Sequence, residues 1–259
     1  MTEFLFRDDA YRREATAHVL GISERGAIHL DRTIFYATSG GQPGDSGVIL
    51  RKDGTPVAIA TAVYEADKLT IAHAPTPGAA LPEVGEKVSM TIDWDKRYAR
   101  MRAHTALHLL SVALPFPVTG GSVGDGEGRL DFDIPDAGLD KAEIEARIAA
   151  MVAQDAAVTF RWITDAELDA NPGLVKTMSV QPPRGQGRVR LVEIAGLDLQ
   201  PCGGTHVRAT GEIGKVVVTG IEKKGKQNRR VRIALAERGA HANVPIANGT
   251  APGSMCSHS

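Results

Sequence analysis

Two short motifs, nearly a hundred residues apart, contain the side chains best suited to bind a metal ion. They read His104-Thr-Ala-Leu-His108 and Cys202-Gly-Gly-Thr-His206. Each motif places its two candidate ligands four positions apart, so on a helix or tight turn both lie on one side. Three imidazoles and one thiolate suit tetrahedral zinc better than Mg²⁺ or Ca²⁺, which prefer oxygen. The sequence therefore predicts one zinc ion per chain.

Either motif alone would be a weak indication, because histidines occur on helix surfaces and Gly-Gly often marks an ordinary turn. The chain has only two cysteines, however, and one of them stands four residues from a histidine. Thr105 and Ala106 follow the first histidine where a zincin protease has its general-base glutamate, so that class is disfavoured. Four closed ligands would make the site structural, whereas catalytic zinc usually keeps one position open. The sequence leaves both alternatives open.

A glycine-rich segment in the first half is the next candidate for a binding site. It reads Thr38-Ser-Gly-Gly-Gln-Pro-Gly-Asp-Ser-Gly47. Glycines such as Gly40 and Gly41 allow the backbone to come close to a ligand or to another backbone. The segment matches neither the P-loop nor the dinucleotide-binding fingerprint, so neither kind of phosphate site is indicated.

The cationic residues are concentrated although the chain as a whole is close to neutral. Its net charge is −1, so a nucleic-acid partner would have to bind a local patch. Arg97, Arg100 and Arg102 stand just before the first metal motif, and a second group lies in one predicted hairpin. That group comprises Lys223, Lys224, Lys226, Arg229, Arg230 and Arg232. The ordinary alternative for such a run is a solvated charged face.

The composition is typical of a soluble globular protein. The 259 residues are 42% hydrophobic and 24% charged, which leaves ample material for a core. Two cysteines, Cys202 and Cys256, make a disulfide framework improbable and favour a reducing compartment. No signal peptide or membrane-spanning run is visible, so we expect a cytoplasmic protein without a membrane contact.

Residues 1 to 92 predict a small β-barrel or sandwich, because short apolar runs alternate with turn residues and show little helical period. The predicted strands are Ala27–Leu30, Thr33–Tyr36, Val48–Arg51, Val57–Tyr64, Lys68–Ala72 and Lys87–Ile92.

From residue 93 the pattern changes to α+β, with helices packed on an antiparallel sheet. Asp95 is predicted to cap a helix that carries His104 and His108 and ends near Ala113, before two prolines. A glycine-rich stretch, residues 120–128, is predicted to lead into a strand, and a capping box at Asp140 to open a helix to about residue 154. Further strands are predicted at Arg129–Ile134, Val158–Ile163, Val189–Ile194, Lys215–Lys223 and Arg229–Leu235, with a short helix opened by Thr164.

Taken together, these residues resemble the editing module of alanyl-tRNA synthetases and its free-standing relatives, the AlaX-type alanyl-tRNA editing proteins. The resemblance covers about residues 4 to 237, and we expect a free-standing form because the chain has no room for an aminoacylation domain. It rests on Phe35-Tyr-Ala-Thr-Ser-Gly-Gly-Gln-Pro-Gly-Asp-Ser-Gly47, Arg102-Ala-His-Thr-Ala-Leu-His-Leu-Leu110, Leu199-Gln-Pro-Cys-Gly-Gly-Thr-His-Val207 and Thr210-Gly-Glu-Ile-Gly214.

The resemblance implies a small N-terminal β-barrel domain (1–92), an α+β editing domain (93–238) and a tail (239–259) that we expect to be disordered. It also implies zinc-dependent hydrolysis of the ester in tRNA(Ala) that is wrongly charged with serine or glycine. A pocket shaped for alanine rejects an added hydroxyl only about a hundredfold, which is why a separate enzyme is needed. We expect a monomer.

The resemblance also suggests roles for single residues. His104, His108, Cys202 and His206 would hold the zinc. Thr38 matches the family's threonine that meets the serine hydroxyl, and Gln42 beside it is a candidate for positioning substrate or water. Substrate and tRNA contacts are predicted for Gly40, Gly41, Arg102, Lys223, Lys224, Lys226, Arg229 and Arg230.

Two other functions fit the same residues. A zinc-stabilised module that binds tRNA without catalysis would suit a closed Cys-His₃ site. A zinc hydrolase for another small acyl ester would need no contact with tRNA. Dependence of turnover on the tRNA part of the substrate separates these alternatives.

Overall fold

A barrel of six strands occupies the first third of the chain. The computed structural model describes residues 1–134, 138–175 and 187–236. The strands of the first 92 residues are β1 (Glu3–Phe4), β2 (Glu14–Ile22), β3 (Ile28–Leu30), β4 (Arg32–Thr33), β5 (Gly47–Leu50), β6 (Pro56–Tyr64), β7 (Ile71–Pro75) and β8 (Lys87–Ile92). Six of them close the barrel in the antiparallel order β2-β3-β7-β6-β5-β8. The predicted α+β class, with a small barrel first, is confirmed.

The barrel forms because its strands alternate apolar and polar residues with a period of two. In β6, Val57, Ile59 and Ala62 point into the core, while the residues between them are less buried. Strand β2 was not predicted, since its inward residues include the small Ala17 as well as Val19. A run of alanine and threonine gives only a weak apolar signal.

The strand predicted at residues 33–36 is wrong beyond Thr33. Ile34, Phe35 and Tyr36 are buried, but their backbone leaves the sheet. Side chains replace the ladder there: Thr33 Oγ1 accepts from the N–H of Phe35, and Asp45 accepts from the N–H of Tyr36. This irregular stretch leads directly into the glycine-rich loop.

Helix α1 (Trp94–Ala113) begins one residue after the barrel and ends where predicted. Its N-cap is Asp93 rather than the predicted Asp95, because Asp93 has an extended backbone and its carboxylate accepts from the N–H of Lys96. Asp95 lies within the first turn, where a negative charge favours the helix dipole.

The second half contains two antiparallel sheets. Its strands are β9 (Val118–Val123), β10 (Glu127–Asp133), β11 (Val158–Ile163), β12 (Val189–Ile194), β13 (Asp198–Pro201), β14 (Val216–Lys223) and β15 (Asn228–Leu235), and its further helices are α2 (Lys141–Val152) and α3 (Asp165–Asp169). One sheet has the order β14-β15-β10-β9 and packs against α1 and α2, and the other has the order β11-β12-β13. Among the described residues, no helix is both long and apolar enough to cross a membrane.

The glycine-rich stretch at residues 120–128 is not a loop throughout, since its first half continues strand β9. Glycine is required there for close approach. A side chain at Gly121 would lie 2.8 Å from Leu130, and one at Gly41 would lie 2.7 Å from the Gly121 carbonyl oxygen. The N–H of Val123 donates to the Gly41 carbonyl at 2.8 Å. The glycine-rich loop of the barrel is thereby docked on β9.

A buried ion pair also joins the barrel to α1. Arg97 is fully buried, contacts Asp45 through its guanidinium and donates to the carbonyls of Ala10 and Ile34 at 2.8 and 2.7 Å. Each nitrogen of this guanidinium therefore donates to a partner inside the molecule. The division into domains at residue 92 remains a prediction, and the tail predicted from residue 239 lies outside the described residues.

Candidate metal centre

Helix α1 and the loop after β13 bring four metal-binding side chains to one point. His104 and His108 lie one helical turn apart, and Cys202 and His206 come from the loop. Their ligand atoms all lie within 4.8 Å of one another. Cys202 Sγ is 3.5 Å from Nε2 of His104 and 3.3 Å from Nε2 of His206. This cluster, termed the metal cluster below, could hold one metal ion.

Each histidine of the cluster is held from behind through its Nδ1 atom. Nδ1 of His104 contacts Gln42 Oε1 at 2.8 Å, and Nδ1 of His108 contacts Asp198 at 2.9 Å. Nδ1 of His206 lies 3.2 Å from the hydroxyl of Thr105. Such partners fix the orientation of a ligating imidazole and leave Nε2 free for the metal.

Charge interactions inside the cluster also suit a metal. Burial alone would raise the pKa of the Cys202 thiol, but His104 and His206 outweigh this and hold it well below its ordinary value. Burial lowers the pKa of His206 to about 3, so its imidazole is neutral at pH 7. Burial would also lower the pKa of His108, yet its bonds to Asp198 and Cys202 raise it to about 9. The lowered pKa of Cys202 favours the thiolate that binds metal, whereas His108 must lose a proton before its imidazole can bind.

The backbone of the loop is fixed by residues from two other segments. Nη1 of Arg190 donates to the carbonyls of Cys202 and Gly204, both at 3.0 Å. Gln42 donates to the hydroxyl of Thr205 at 2.8 Å. A side chain at Gly204 would lie 2.2 Å from His104, so glycine is needed at this position.

A cavity of about 290 Å³ opens on the cluster. This volume is close to the lower end of the range for small-molecule sites. Its wall includes His104, His108 and Cys202, together with the glycine-rich loop and β9. Its polar lining residues include Tyr36, Ser39, Ser111, Ser122 and Gln200.

Two known protein families match separate parts of this chain. Residues 8–96 match the family of class II (A) tRNA synthetases, and residues 189–232 match the threonyl and alanyl tRNA synthetase second additional domain. The chain is 34% identical over 249 residues to the alanyl-tRNA editing protein AlaX-M of Methanosarcina mazei, which covers 92% of this chain and 98% of that protein. This chain belongs to the alanyl-tRNA editing protein family.

Other relatives show the same relation. AlaX-M of Saccharolobus solfataricus is 34% identical over 236 residues, or 89% of this chain and 98% of the relative. The alanine–tRNA ligase of Pyrobaculum aerophilum is 34% identical over 238 residues, but these make up only 25% of the ligase. The chain therefore corresponds in length to these two AlaX-M proteins and to one part of the ligase.

Of the residues predicted for substrate contact in this editing protein, some line the cavity and others do not. Gly40 and Gly41 line the cavity. Thr38 does not: it is exposed, its hydroxyl donates to the Ala62 carbonyl, and it accepts from the N–H of Gly44. Its position does not support the predicted contact with a serine hydroxyl. Gln42 is fully buried behind His104 rather than on the cavity wall, so its position supports a role in orienting a metal ligand instead of substrate or water.

The predicted tRNA-binding cations are mostly engaged inside the protein. Arg102 donates from Nε and Nη2 to the carbonyl of Ile213 at 3.0 and 2.7 Å, which ties α1 to the segment before β14. Arg97 and Arg100 make similar internal bonds, the latter to Asp125 and to the Gly44 carbonyl. These contacts give all three arginines a structural role and do not support the predicted one.

In the hairpin of β14 and β15, three of the six cations pair with carboxylates among the described residues. Arg230 pairs with Asp131 at 2.7 Å, and Lys224 and Arg232 pair with Glu222 at 2.8 and 2.6 Å. Arg229 is buried and donates to the Gly225 carbonyl. Lys223 and Lys226 are exposed.

Sequence reasoning missed the residues that orient the ligands. Asp198, Gln200 and Arg190 are all buried. Gln200 stands in the motif Leu199-Gln-Pro-Cys-Gly-Gly-Thr-His-Val207 without a predicted role, and Asp198 and Arg190 lie outside the motifs. Strands β12 and β13 carry them on one face, which only the pairing of Val192 with Gln200 and of Ile194 with Asp198 makes apparent. A buried charged residue within an apolar strand, such as Arg190 between Val189 and Leu191, was the one signal available.

Proposed function

We propose that this protein hydrolyses the ester bond of tRNA(Ala) that carries serine, with one zinc ion held by the metal cluster. The observation that carries the proposal is the cluster itself. Its ligand atoms lie within 4.8 Å, and three of its members stand on the wall of a cavity large enough for a small aminoacyl group.

The donor set fits zinc. Three imidazole nitrogens and one thiolate form a soft-to-borderline set, and each imidazole has the outer partner that ligating histidines usually have. His104, His108, Cys202 and His206 would hold the ion. When bound, zinc would supply Lewis-acid polarisation of the ester carbonyl, a lower pKa for a bound water, or a fixed point for the substrate's amino group.

The residues around the cavity support a preference for serine. An enzyme that must spare alanine has to require the hydroxyl, and a buried polar group that alanine leaves unpaired provides such a requirement. Gln200 fits this role because its amide nitrogen already donates to Asp198 at 2.7 Å, which leaves its amide oxygen to accept from a substrate hydroxyl. Ser39, Ser111 and Ser122 line the same cavity and offer further hydroxyls.

The glycine-rich loop would shape the entrance. Gly40 and Gly41 both have positive φ angles, 54° and 81°, and neither has a side chain that would fill the cavity. The ester end of the substrate could then pass close to the backbone of this loop. The predicted cytoplasmic location and monomeric state remain part of the proposal.

Deacylation of Ser-tRNA(Ala), Gly-tRNA(Ala) and Ala-tRNA(Ala) by the purified protein tests this function, with metal content measured on the same sample. We expect loss of serine, sparing of alanine and one zinc per chain. A Gln200→Leu variant, assayed at saturating zinc, should lower the preference for serine over alanine. Stoichiometric zinc with all three esters intact would refute the enzyme and leave a zinc-stabilised RNA-binding module.

A further inference from the structure

A second cavity lies against the metal cluster, on the side of His206. Its volume is about 100 Å³, and it is enclosed by residues 7–11, by strands β11 and β12, and by residues 206–208. The first cavity is lined by His104, His108 and Cys202 instead. The metal cluster therefore borders two cavities. The function proposed above involves only the first of them.

Aromatic and cationic side chains alternate beside the second cavity. Phe160 and Trp162 are two residues apart on β11 and so point to the same face, where they pair with Val192 and Arg190 of β12. Arg190 lies 4.6 Å from the ring centre of Phe160, and Arg188 lies 4.5 Å from that of Trp162. Phe160 is 39% exposed, which is unusual for a large apolar side chain of this protein.

Arginines also lie beside aromatic rings in residues 7–11 and in the loop after β13 that carries Cys202 and His206, which we call the metal loop. Arg7 lies 6.0 Å from the Trp162 ring, and Arg208 lies 4.1 Å from the ring of Tyr11. We call the whole set the arginine–aromatic surface; it consists of Arg7, Tyr11, Phe160, Trp162, Arg188, Arg190 and Arg208. Its four arginines exceed three nearby carboxylates: Asp8, Asp9, which pairs with Arg208 at 3.5 Å, and Glu212, which accepts from the Tyr11 hydroxyl at 2.6 Å.

Arg190 connects this surface to the metal cluster. Its Nη1 bonds to the Cys202 and Gly204 carbonyls hold the metal loop, while its guanidinium covers Phe160. Its Nε atom is buried and has no hydrogen-bond partner among the described residues. The cation thus retains an unused donor next to the second cavity.

We propose that the arginine–aromatic surface binds the unpaired nucleotides at the 3′ end of the tRNA. Proteins bind single-stranded nucleic acid by stacking bases on aromatic rings and placing cations along the backbone, which are the two components present here. His206 lines the second cavity, whereas His104, His108 and Cys202 line the first, and the ligand atoms of these four residues lie within 4.8 Å of one another, so both cavities border the metal cluster. The proposal rests on the function proposed above, since the ester must be attached to this end.

Kinetics of Ser-tRNA(Ala) deacylation by Phe160→Ala, Trp162→Ala and Arg188→Ala test the surface. Stacking of one base contributes about 1–3 kcal/mol, which corresponds to roughly 5- to 150-fold in affinity. We expect KM to rise by roughly tenfold in each aromatic variant while kcat and zinc content stay within about twofold. Leu20→Ala is the matched control, because Leu20 is 49% exposed on the outside of the barrel. Unchanged KM in all three surface variants would overturn the proposal.

A binding experiment tests the same surface without turnover. The affinity of uncharged tRNA(Ala) is compared with that of the same tRNA lacking its unpaired 3′ nucleotides, for wild type and for Phe160→Ala. We expect each change to weaken binding and the two losses to be less than additive, because both remove the same contact. Additive losses would place the RNA end elsewhere.

The two experiments also separate failure of this proposal from failure of the proposed function. Non-additive binding without any deacylation would uphold the surface and refute the enzyme. Normal deacylation with additive binding losses would uphold the enzyme and refute the surface. A dimer that Phe160→Ala dissociates, with RNA binding unchanged, would assign the surface to a second copy of the chain and overturn the proposal.

Discussion

The metal cluster and the cationic hairpin of β14 and β15 both contain groups that attract ligands, but they differ in how those groups are satisfied. In the cluster, each histidine uses one nitrogen for a distant internal partner, and Nε2 points at a shared centre. In the hairpin, Arg230 and Arg232 are paired with carboxylates one strand away. The cluster is arranged for an external ion, whereas three of the six hairpin cations already have carboxylate partners in the described part of the protein.

The comparison shows why one sequence signal is stronger than the other. Cysteine and histidine at fixed spacing are rare, and few arrangements other than a metal site bring four of them together. Cationic residues are common on protein surfaces. Carboxylates on neighbouring strands often form ion pairs with them, and such pairs change the free energy of unfolding only a little. Residue type identified the cluster, but only contacts could show which cations remain available.

Removal of a cluster ligand should have the largest effect. Cys202→Ala deletes the thiolate, so zinc content should fall from one per chain to near zero. Deacylation should fall by more than the roughly 10–100-fold typical of an outer partner. Metal analysis and single-turnover deacylation measure both. Cys256→Ala, which changes the chain's other cysteine, is the control, and full activity in Cys202→Ala would show that the cluster is not the active centre.

Removal of an outer partner should have the next largest effect. Gln42→Ala removes the partner of His104 Nδ1 and two hydrogen bonds with Thr205, so zinc affinity should fall by about 10–100-fold. Competition with a chelator measures it. If Gln42 instead contacts substrate or water, deacylation would slow while zinc affinity stayed normal, and that result would contradict the structural role.

The proton on His108 should make zinc binding depend on pH. The pKa of His108 is about 9 without metal, so at pH 7 the imidazolium must lose a proton before Nε2 can bind. Affinity should therefore rise with pH between 7 and 9, by up to about tenfold per unit, and level off above that. Asp198→Asn removes the carboxylate that raises this pKa, so the rise should become shallower. An equally steep rise in that variant would contradict the assignment.

The smallest effect is expected in the hairpin. Lys223→Ala with Lys226→Ala removes two exposed cations that lie outside both cavities. KM for Ser-tRNA(Ala) should change by less than about threefold at moderate salt. The slope of log affinity against log salt concentration should fall by no more than the equivalent of about two phosphate contacts. A tenfold rise in KM would restore the hairpin as the main tRNA contact and weaken the contrast between the two regions.

Much of the fold followed from local signals. Strands Lys87–Ile92, Val158–Ile163 and Val189–Ile194 have the bounds that were predicted, because apolar alternation and turn residues bracket them. The short helix opened by Thr164 also forms as predicted, and Thr164 and Glu167 form a capping box at its start. Strands β2, β9 and β13 were missed, since alanine, glycine and mixed polar residues weaken the period that identifies a strand.

The sequence by itself determined the four candidate ligands, the α+β class and the family, because these depend on residue types, spacing and periodicity. Only the tertiary structure decided what stands behind and around the ligands. It placed Gln42 behind His104, turned Thr38 away from the cavity, engaged Arg97 and Arg102 in internal bonds and gathered the arginines and aromatics beside His206. Such contacts join residues far apart in the chain, and their partners depend on strand register and loop docking, which no local pattern specifies.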